Sequence, residues 1–278
     1  MLASRRVLAL TGIRVEEWRQ LARAFPDLPP DPGRRAARRR SLLAQLASRS
    51  LATGRWKVRL EGDPPSEEPT VYVSAHIGSL QSLRYCLRAR GIAVANVLGP
   101  HNLDRPEAER QDRIFDRRHP LPYPHFFPAA HAHRLRTALV AGSLIVAADL
   151  PEGDFREAQI LRGTVRLDPR PFRLAHAAGV PCRPAFLTLP EGRWTLTLGP
   201  RLPREERAAL EAFACVFRAV AARSPVDLDG VVYLNLARQG VAGKALGSSG
   251  TGGAKAPPLR LFERLHDLVE RLLRRAQP

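Results

Sequence analysis

Between residues 70 and 200 the chain alternates short apolar runs with amphipathic segments. Three runs have the length and composition of buried strands: TVYVSA (70–75), IAVANVLG (92–99) and SLIVAAD (143–149). Two segments place leucines at helical spacing and end before a glycine: 78–90 and 129–141. A charged helix over 106–119 and an aromatic, proline-rich loop over 120–128 complete this part of the pattern.

The second half of the region continues the alternation. Pro171 suits the first turn of a helix over 171–178, and Gly179 is placed to end it. Three further elements follow: strands over 181–189 and 193–199, joined by the turn PEGR, and an amphipathic helix over 203–225. Strands that alternate with helices predict an α/β fold, with a mostly parallel sheet flanked by helices on both faces.

The two ends of the chain differ from this pattern. Residues 1–60 predict two or three helices, and the arginine-rich one over 34–50 can either pack on the domain or lie on an anionic membrane. We therefore divide the chain into an N-terminal helical segment (1–60), an α/β domain (61–239), a flexible glycine- and serine-rich linker (240–258) and a C-terminal amphipathic helix (259–278).

Charge restricts the classes of partner. The formal net charge is +17, and only Lys57, Lys244 and Lys255 are lysines, so nearly all of the positive charge is arginine. Such a chain favours anionic lipid headgroups, acidic carrier proteins or nucleic acid. We predict no nucleic-acid partner, because the sequence contains no recognition helix, zinc finger or aromatic RNA-binding signature.

The cysteines and the hydropathy indicate a compartment. Cys86, Cys182 and Cys215 are widely spaced and predict neither a disulfide framework nor a zinc site, which fits a reducing cytosol. No apolar run is long enough to span a membrane, and the N-terminus lacks the features of a signal peptide. The prediction is a cytoplasmic protein, with peripheral contact at the inner membrane face as the form that any membrane association would take.

The stretch SAHIGSLQSL (74–83) carries the strongest candidate chemistry. His76 follows a predicted strand and precedes a predicted helix, so it is expected at the carboxyl edge of the sheet, near backbone N–H groups that can hold an oxyanion. Gln81, in the first turn of that helix, can reach back to the imidazole. Without further information His76 is either a structural histidine or a general base.

The stretch also resembles a known family signature. VYVSAHIGSLQSL is similar to the histidine-x4-acid motif of the lysophospholipid/glycerolipid acyltransferase superfamily, and most similar to the branch of lipid A late acyltransferases (lauroyl and myristoyl transferases), with Gln81 in place of the acid. Two later blocks resemble the family in the same order: 138–155, and 163–202 with its small helix and hairpin. The resemblance covers residues 70–202.

The resemblance implies an activity and roles for individual residues. Such enzymes move an acyl group from a thioester on acyl carrier protein or coenzyme A to a hydroxyl or amine of a small-molecule or lipid acceptor, without metal or cofactor. The catalytic candidates are His76 as general base, Gln81 and Asp149. The candidates for substrate binding are Gly78, Ser79, Glu152, Gly153, Arg156 and Arg166.

The amide at position 81 departs from the family pattern. Gln81 can orient the imidazole but supplies no negative charge for the imidazolium. Asp149 is the expected substitute, because it ends a strand that parallel pairing would bring to the same sheet edge as His76. The alternative is a non-catalytic relative that binds an acyl carrier or a lipid. We do not expect a metal site at His131 and His133, because residues two apart in a helix face different sides.

Overall fold

Seven strands form one sheet, in the order β1-β9-β8-β2-β5-β3-β4. The computed structural model describes residues 57–98, 126–128, 132–149, 154–160, 163–190, 193–224 and 227. The strands of the sheet are β1 (Arg59–Gly62), β2 (Val71–Ser74), β3 (Val94–Leu98), β4 (Phe126–Pro128), β5 (Ser143–Ala147), β8 (Cys182–Thr188) and β9 (Thr195–Leu198).

All neighbouring strands of this sheet run parallel except β8 and β9, which form an antiparallel pair. A separate antiparallel hairpin consists of β6 (Arg156–Ile160) and β7 (Gly163–Leu167). The four described helices are α1 (Leu80–Arg88), α2 (Ala132–Ala141), α3 (Arg170–Ala178) and α4 (Glu206–Arg223). The prediction of an α/β fold with a mostly parallel sheet is confirmed.

Helices cover both faces of the sheet, because the central strands are apolar on both sides. In β2, Val71 and Val73 pack into the core shared with α2, α3 and α4, whereas Tyr72 between them faces the core on the α1 side. Phe213 and Phe217 of α4 contact the ring of Phe186 in β8, with centroids 5.8 and 5.7 Å apart. This two-sided burial fixes the strand register, since a slip of one residue would exchange the two faces.

Three elements differ from the sequence prediction. Residues 59–62 form the edge strand β1, parallel to β9, where a helical segment was expected up to residue 60. Phe126–Pro128 is a strand on β3 rather than part of a loop, and the β6–β7 hairpin was not predicted. These strands are short, or exposed on one side as in the sequence REAQI, so they carry little of the apolar pattern that identifies a buried strand.

Several predictions fall on other parts of the chain. The N-terminal helices before residue 57, the helix over 106–119, the linker and the C-terminal helix lie outside the described residues, so the proposed domain division stays a prediction. Within the described part of the chain, no helix is both long and apolar enough to cross a membrane.

Candidate active site

The histidine and the aspartate predicted to meet at the sheet edge are placed by strand register. β2 and β5 pair in parallel, with Ser74 opposite Ala147. His76 lies two residues beyond Ser74, and Asp149 lies two residues beyond Ala147. The equal offset brings the two residues side by side at the carboxyl ends of their strands, which is the edge where open α/β sheets bind ligands.

Asp149 makes two contacts with His76. Its Oδ1 lies 2.8 Å from Nδ1 of the imidazole, and its Oδ2 accepts a 2.7 Å hydrogen bond from the backbone N–H of the same histidine. The Asp149 side chain is fully buried, whereas 21% of the His76 side chain is exposed. One carboxylate therefore holds both the ring and the backbone of His76, while part of the His76 side chain is accessible to solvent.

This contact defines a tautomer. An ionised carboxylate can only accept hydrogen bonds, so Nδ1 facing it carries the proton and the lone pair of the neutral ring lies on Nε2. A negative charge 2.8 Å from Nδ1 also favours the imidazolium that forms when Nε2 takes up a proton. The arrangement can therefore accept a proton from a bound acid group and return it later.

The chain turns sharply after the histidine, in the segment 75–79, which we call the His76 loop. Gly78 has a φ of +66°, and a Cβ on it would lie 2.0 Å from the carbonyl oxygen of Leu187 at the end of β8. Only glycine fits both the left-handed backbone and this close approach. The loop is thus packed directly against the backbone of β8.

The backbone N–H groups of residues 76 to 79 all donate within the protein. His76 donates to Asp149, and Ile77 donates to the carbonyl of Ala75 at 2.8 Å. Gly78 donates to the carbonyl of Asp227 at 2.7 Å, and Ser79 donates to that of Leu187 at 2.9 Å. An oxyanion at this site would consequently need donors from other parts of the chain, and substrate binding by Gly78 and Ser79 stays a prediction.

Gln81 is the second residue of α1, so its backbone lies in the first helical turn as predicted. Its side chain is outside the described part of the structure, and its contact with the imidazole stays a prediction. Ser79, just before the helix, does not cap it with its side chain. Its hydroxyl instead donates to that of Ser82 at 2.8 Å, and both residues are buried.

The predicted arginines lie on the β6–β7 hairpin. Arg156 is exposed and contacts Asp154 at 2.8 Å and Glu206 of α4 at 3.9 Å, and Arg166 lies over the ring of Phe155. A hydrogen bond from Arg173, together with the nearby Arg156, lowers the pKa of Asp154. These contacts connect the hairpin to α3 and α4, so a role of the two arginines in substrate binding stays a prediction. Glu152 and Gly153 are outside the described residues.

Two buried aspartates near the site were not predicted. The N–H of Asp168 donates to the carbonyl of Ala148, next to Asp149, and its carboxylate binds the guanidinium of Arg170. Asp227 follows α4 and contacts both the His76 loop and the residue just beyond β8. The sequence does offer a signal for Asp168, because an aspartate just before a helix can accept a backbone N–H of the first turn, as Asp168 does from Arg170 at 2.8 Å. Nothing in the sequence around Asp227 indicates its contacts.

The described residues contain no group of three or more histidine, cysteine, aspartate or glutamate side chains that could hold a metal ion. His133 is on the exposed side of α2, with Nδ1 3.4 Å from the Thr137 hydroxyl. His131 lies outside the described residues.

No family model matches the chain, and no curated protein matches it significantly. Among solved structures, the 1-acyl-sn-glycerophosphate (LPA) acyltransferase PlsC from Thermotoga maritima superposes with a TM-score of 0.38 and 15% identity, covering 89% of this chain and 96% of that one. A superposition of this quality does not establish a family or an activity.

Proposed function

We propose that the protein is an acyltransferase in which His76 acts as general base, with Asp149 orienting the neutral imidazole and stabilising the imidazolium that forms when it takes up a proton. The donor would be a fatty or related acyl thioester on acyl carrier protein or coenzyme A, and the acceptor a hydroxyl or amine of a small molecule or lipid. The observation that carries the proposal is the His76–Asp149 pair, in which both carboxylate oxygens contact His76 and part of the His76 side chain is exposed. The motif resemblance around His76 supplies the reaction class.

In the proposed reaction Nε2 of His76 removes the proton of the acceptor as its oxygen or nitrogen attacks the thioester carbonyl. The resulting tetrahedral intermediate collapses with cleavage of the carbon–sulfur bond, and the imidazolium returns its proton to the departing thiolate. The products are the acylated acceptor and a free thiol, and the enzyme regains its starting state. Asp149 stabilises the imidazolium while it exists, since their contact is only 2.8 Å and the carboxylate is buried.

Asp149 thereby takes the place of the acid that the family motif has at position 81. A buried carboxylate near the ring can supply the charge that the amide of Gln81 lacks. A lipid A acceptor is not part of the proposal. The net charge of +17 supports an acidic carrier protein or an anionic membrane surface as partner.

The test compares His76→Asn and Asp149→Asn with the wild-type protein. His76→Asn is preferable to alanine, because its side-chain amide can still donate to the buried carboxylate while it cannot act as a base. In Asp149→Asn, one of the two His76 donors faces the N–H groups of the amide and not an oxygen. The variant therefore neither fixes the tautomer of the imidazole nor stabilises its charged form. We expect each substitution to reduce turnover about 10²–10⁴-fold.

The assay follows thioester loss and product formation with a panel of acyl carrier protein and coenzyme A thioesters of different chain lengths, with and without alcohol, amine and lysolipid acceptors. Gln81→Glu is a third variant, and it is expected to match or exceed the wild-type rate. Turnover that is unchanged in both His76→Asn and Asp149→Asn would show that the histidine is not the base. Thioester binding without any turnover would favour a non-catalytic relative that binds the acyl carrier.

A further inference from the structure

Asp227 joins three parts of the molecule at one buried point. It lies three residues beyond Ser224, whose carbonyl accepts its N–H at 3.0 Å just after the end of α4. Its Oδ2 accepts a 2.7 Å hydrogen bond from the N–H of Leu189, the residue just past β8. Its own carbonyl accepts the N–H of Gly78, also at 2.7 Å. Only 3% of its surface is exposed.

The contact at Gly78 lies in a part of the His76 loop that hydrogen bonds already constrain. The Gly78 N–H faces Asp227 and the next N–H, of Ser79, faces Leu187, so the loop is bonded to two different segments at successive residues. Leu187 and Leu189 belong to the same end of β8, and Asp227 binds the second of them through its carboxylate. Asp227 therefore contacts the loop directly through its carbonyl and is linked to it indirectly through the β8 backbone.

We infer that Asp227 is a positioning residue for His76. Gly78 is only two residues from the histidine, so a shift of its backbone moves the imidazole relative to Asp149 and to bound substrate. A misplacement of about 1 Å in a reacting group can cost about 10²-fold in rate. The inference deepens the proposed acyltransferase function and rests on it for its kinetic consequence.

The chemistry of the contact suggests graded variants. Asp227→Asn keeps a side-chain oxygen that can accept the Leu189 N–H, so it should preserve the geometry. Asp227→Ser offers a shorter acceptor, and Asp227→Ala offers none, which leaves the Leu189 N–H without its side-chain acceptor. Phe217→Leu in α4 is the matched control: Phe217 belongs to the same apolar core as Ala75 and Ile77 but takes no part in the hydrogen bonds that link Asp227 to Gly78 and Leu189.

The expected result is a loss in kcat that grows from asparagine to serine to alanine, reaching about 10–100-fold in Asp227→Ala, with the KM for the thioester within about threefold of wild type. Phe217→Leu should leave kcat nearly unchanged at a temperature where it is folded. If Asp227→Ala does not fold, the serine and asparagine variants retain the comparison. Equal kcat in all folded variants would overturn the inference.

A second readout does not need turnover. The Nδ1–H proton of His76, followed by NMR with ¹⁵N-labelled histidine, reports the hydrogen bond to Asp149. We expect its resonance to move in Asp227→Ala and to stay in Asp227→Asn and Phe217→Leu. If the wild-type protein transfers no acyl group yet this pattern appears, the proposed function fails and the positioning role stands. An unmoved resonance in Asp227→Ala refutes the positioning role even in an active enzyme.

Discussion

Replacing Gly78 by alanine tests whether the His76 loop is as tightly held as its geometry implies. The substitution has two costs. An alanine at a φ of +66° adopts a left-handed conformation, which costs about 1–2 kcal/mol for a residue with a Cβ. Its methyl group would also lie 2.0 Å from the Leu187 carbonyl oxygen, so the backbones must separate by about 1.4 Å to reach ordinary contact near 3.4 Å.

The matched control is Gly179→Ala. Gly179 ends α3 with a φ of +69°, and a Cβ there would meet no atom within 4 Å. Gly179→Ala therefore incurs the backbone strain alone, about 1–2 kcal/mol. Overpacking against a rigid neighbour adds about 1–3 kcal/mol. We expect Gly78→Ala to lose about 2–5 kcal/mol in all, with the excess over the control attributable to the contact with β8.

Urea denaturation followed by far-UV circular dichroism measures both free energies of unfolding. The same variants are assayed for thioester turnover, because relief of the clash must move either the His76 loop or the end of β8. Gly78→Ala should lose activity far beyond the Gly179→Ala control. The reasoning is wrong if the two variants are equally stable and equally active, since the close approach at Leu187 would then have no energetic consequence.

The burial of two cysteines and the cap of α4 can be tested without an activity assay. Burial raises the pKa of Cys86 and Cys182 to about 12, so at pH 8 only roughly one in 10⁴ of either thiol is ionised. A thiol reagent should therefore label the exposed Cys215 alone in the native protein and all three cysteines after denaturation. Rapid labelling of a second thiol in the folded state would contradict this burial. Glu205 caps α4 by accepting the N–H groups of Ala208 and Arg207, which lowers its pKa from 4.5. The charged cap therefore contributes its full stabilisation above pH 4.5, and this contribution is lost as the pH falls through the lower pKa that Glu205 has in the folded state. Glu205→Ala should reduce Tm at pH 7, and the Tm difference from wild type should shrink under acid conditions, whereas a constant difference would exclude the charge as its cause.

The sequence predicts best those parts of the fold that are buried on both sides. The strands around Val73 and Ile145 are continuous apolar runs, and α3 has Pro171 in its first turn and ends at Gly179 as expected. The proximity of His76 and Asp149 also followed from the sequence, because strand ends in a parallel sheet share one edge. Each of these features has a local pattern that physical rules convert directly into geometry.

Other features have no such local pattern. Three-residue β4 and the half-exposed β6 gain their strand geometry from the neighbours they pair with. The carboxylate of Asp227 acquires its role only when α4 returns the chain to the end of β8. The engagement of the Gly78 and Ser79 N–H groups likewise depends on segments more than 100 residues away in the sequence. Long-range contacts of this kind are set by the tertiary fold.

His76 and Asp149 each lie two residues beyond the last paired residues of β2 and β5, and this equal offset determines which changes to the chain the pair can tolerate. The two residues are 73 positions apart, and their meeting depends on the β2–β5 ladder and not on the chain that connects them. Circular permutation or insertion between the strands should leave the pair intact wherever the ladder survives. One residue added inside either strand would turn every following side chain to the opposite face. The His76–Asp149 pair should thus tolerate changes in how the two strands are connected but not a shift in the register of either strand.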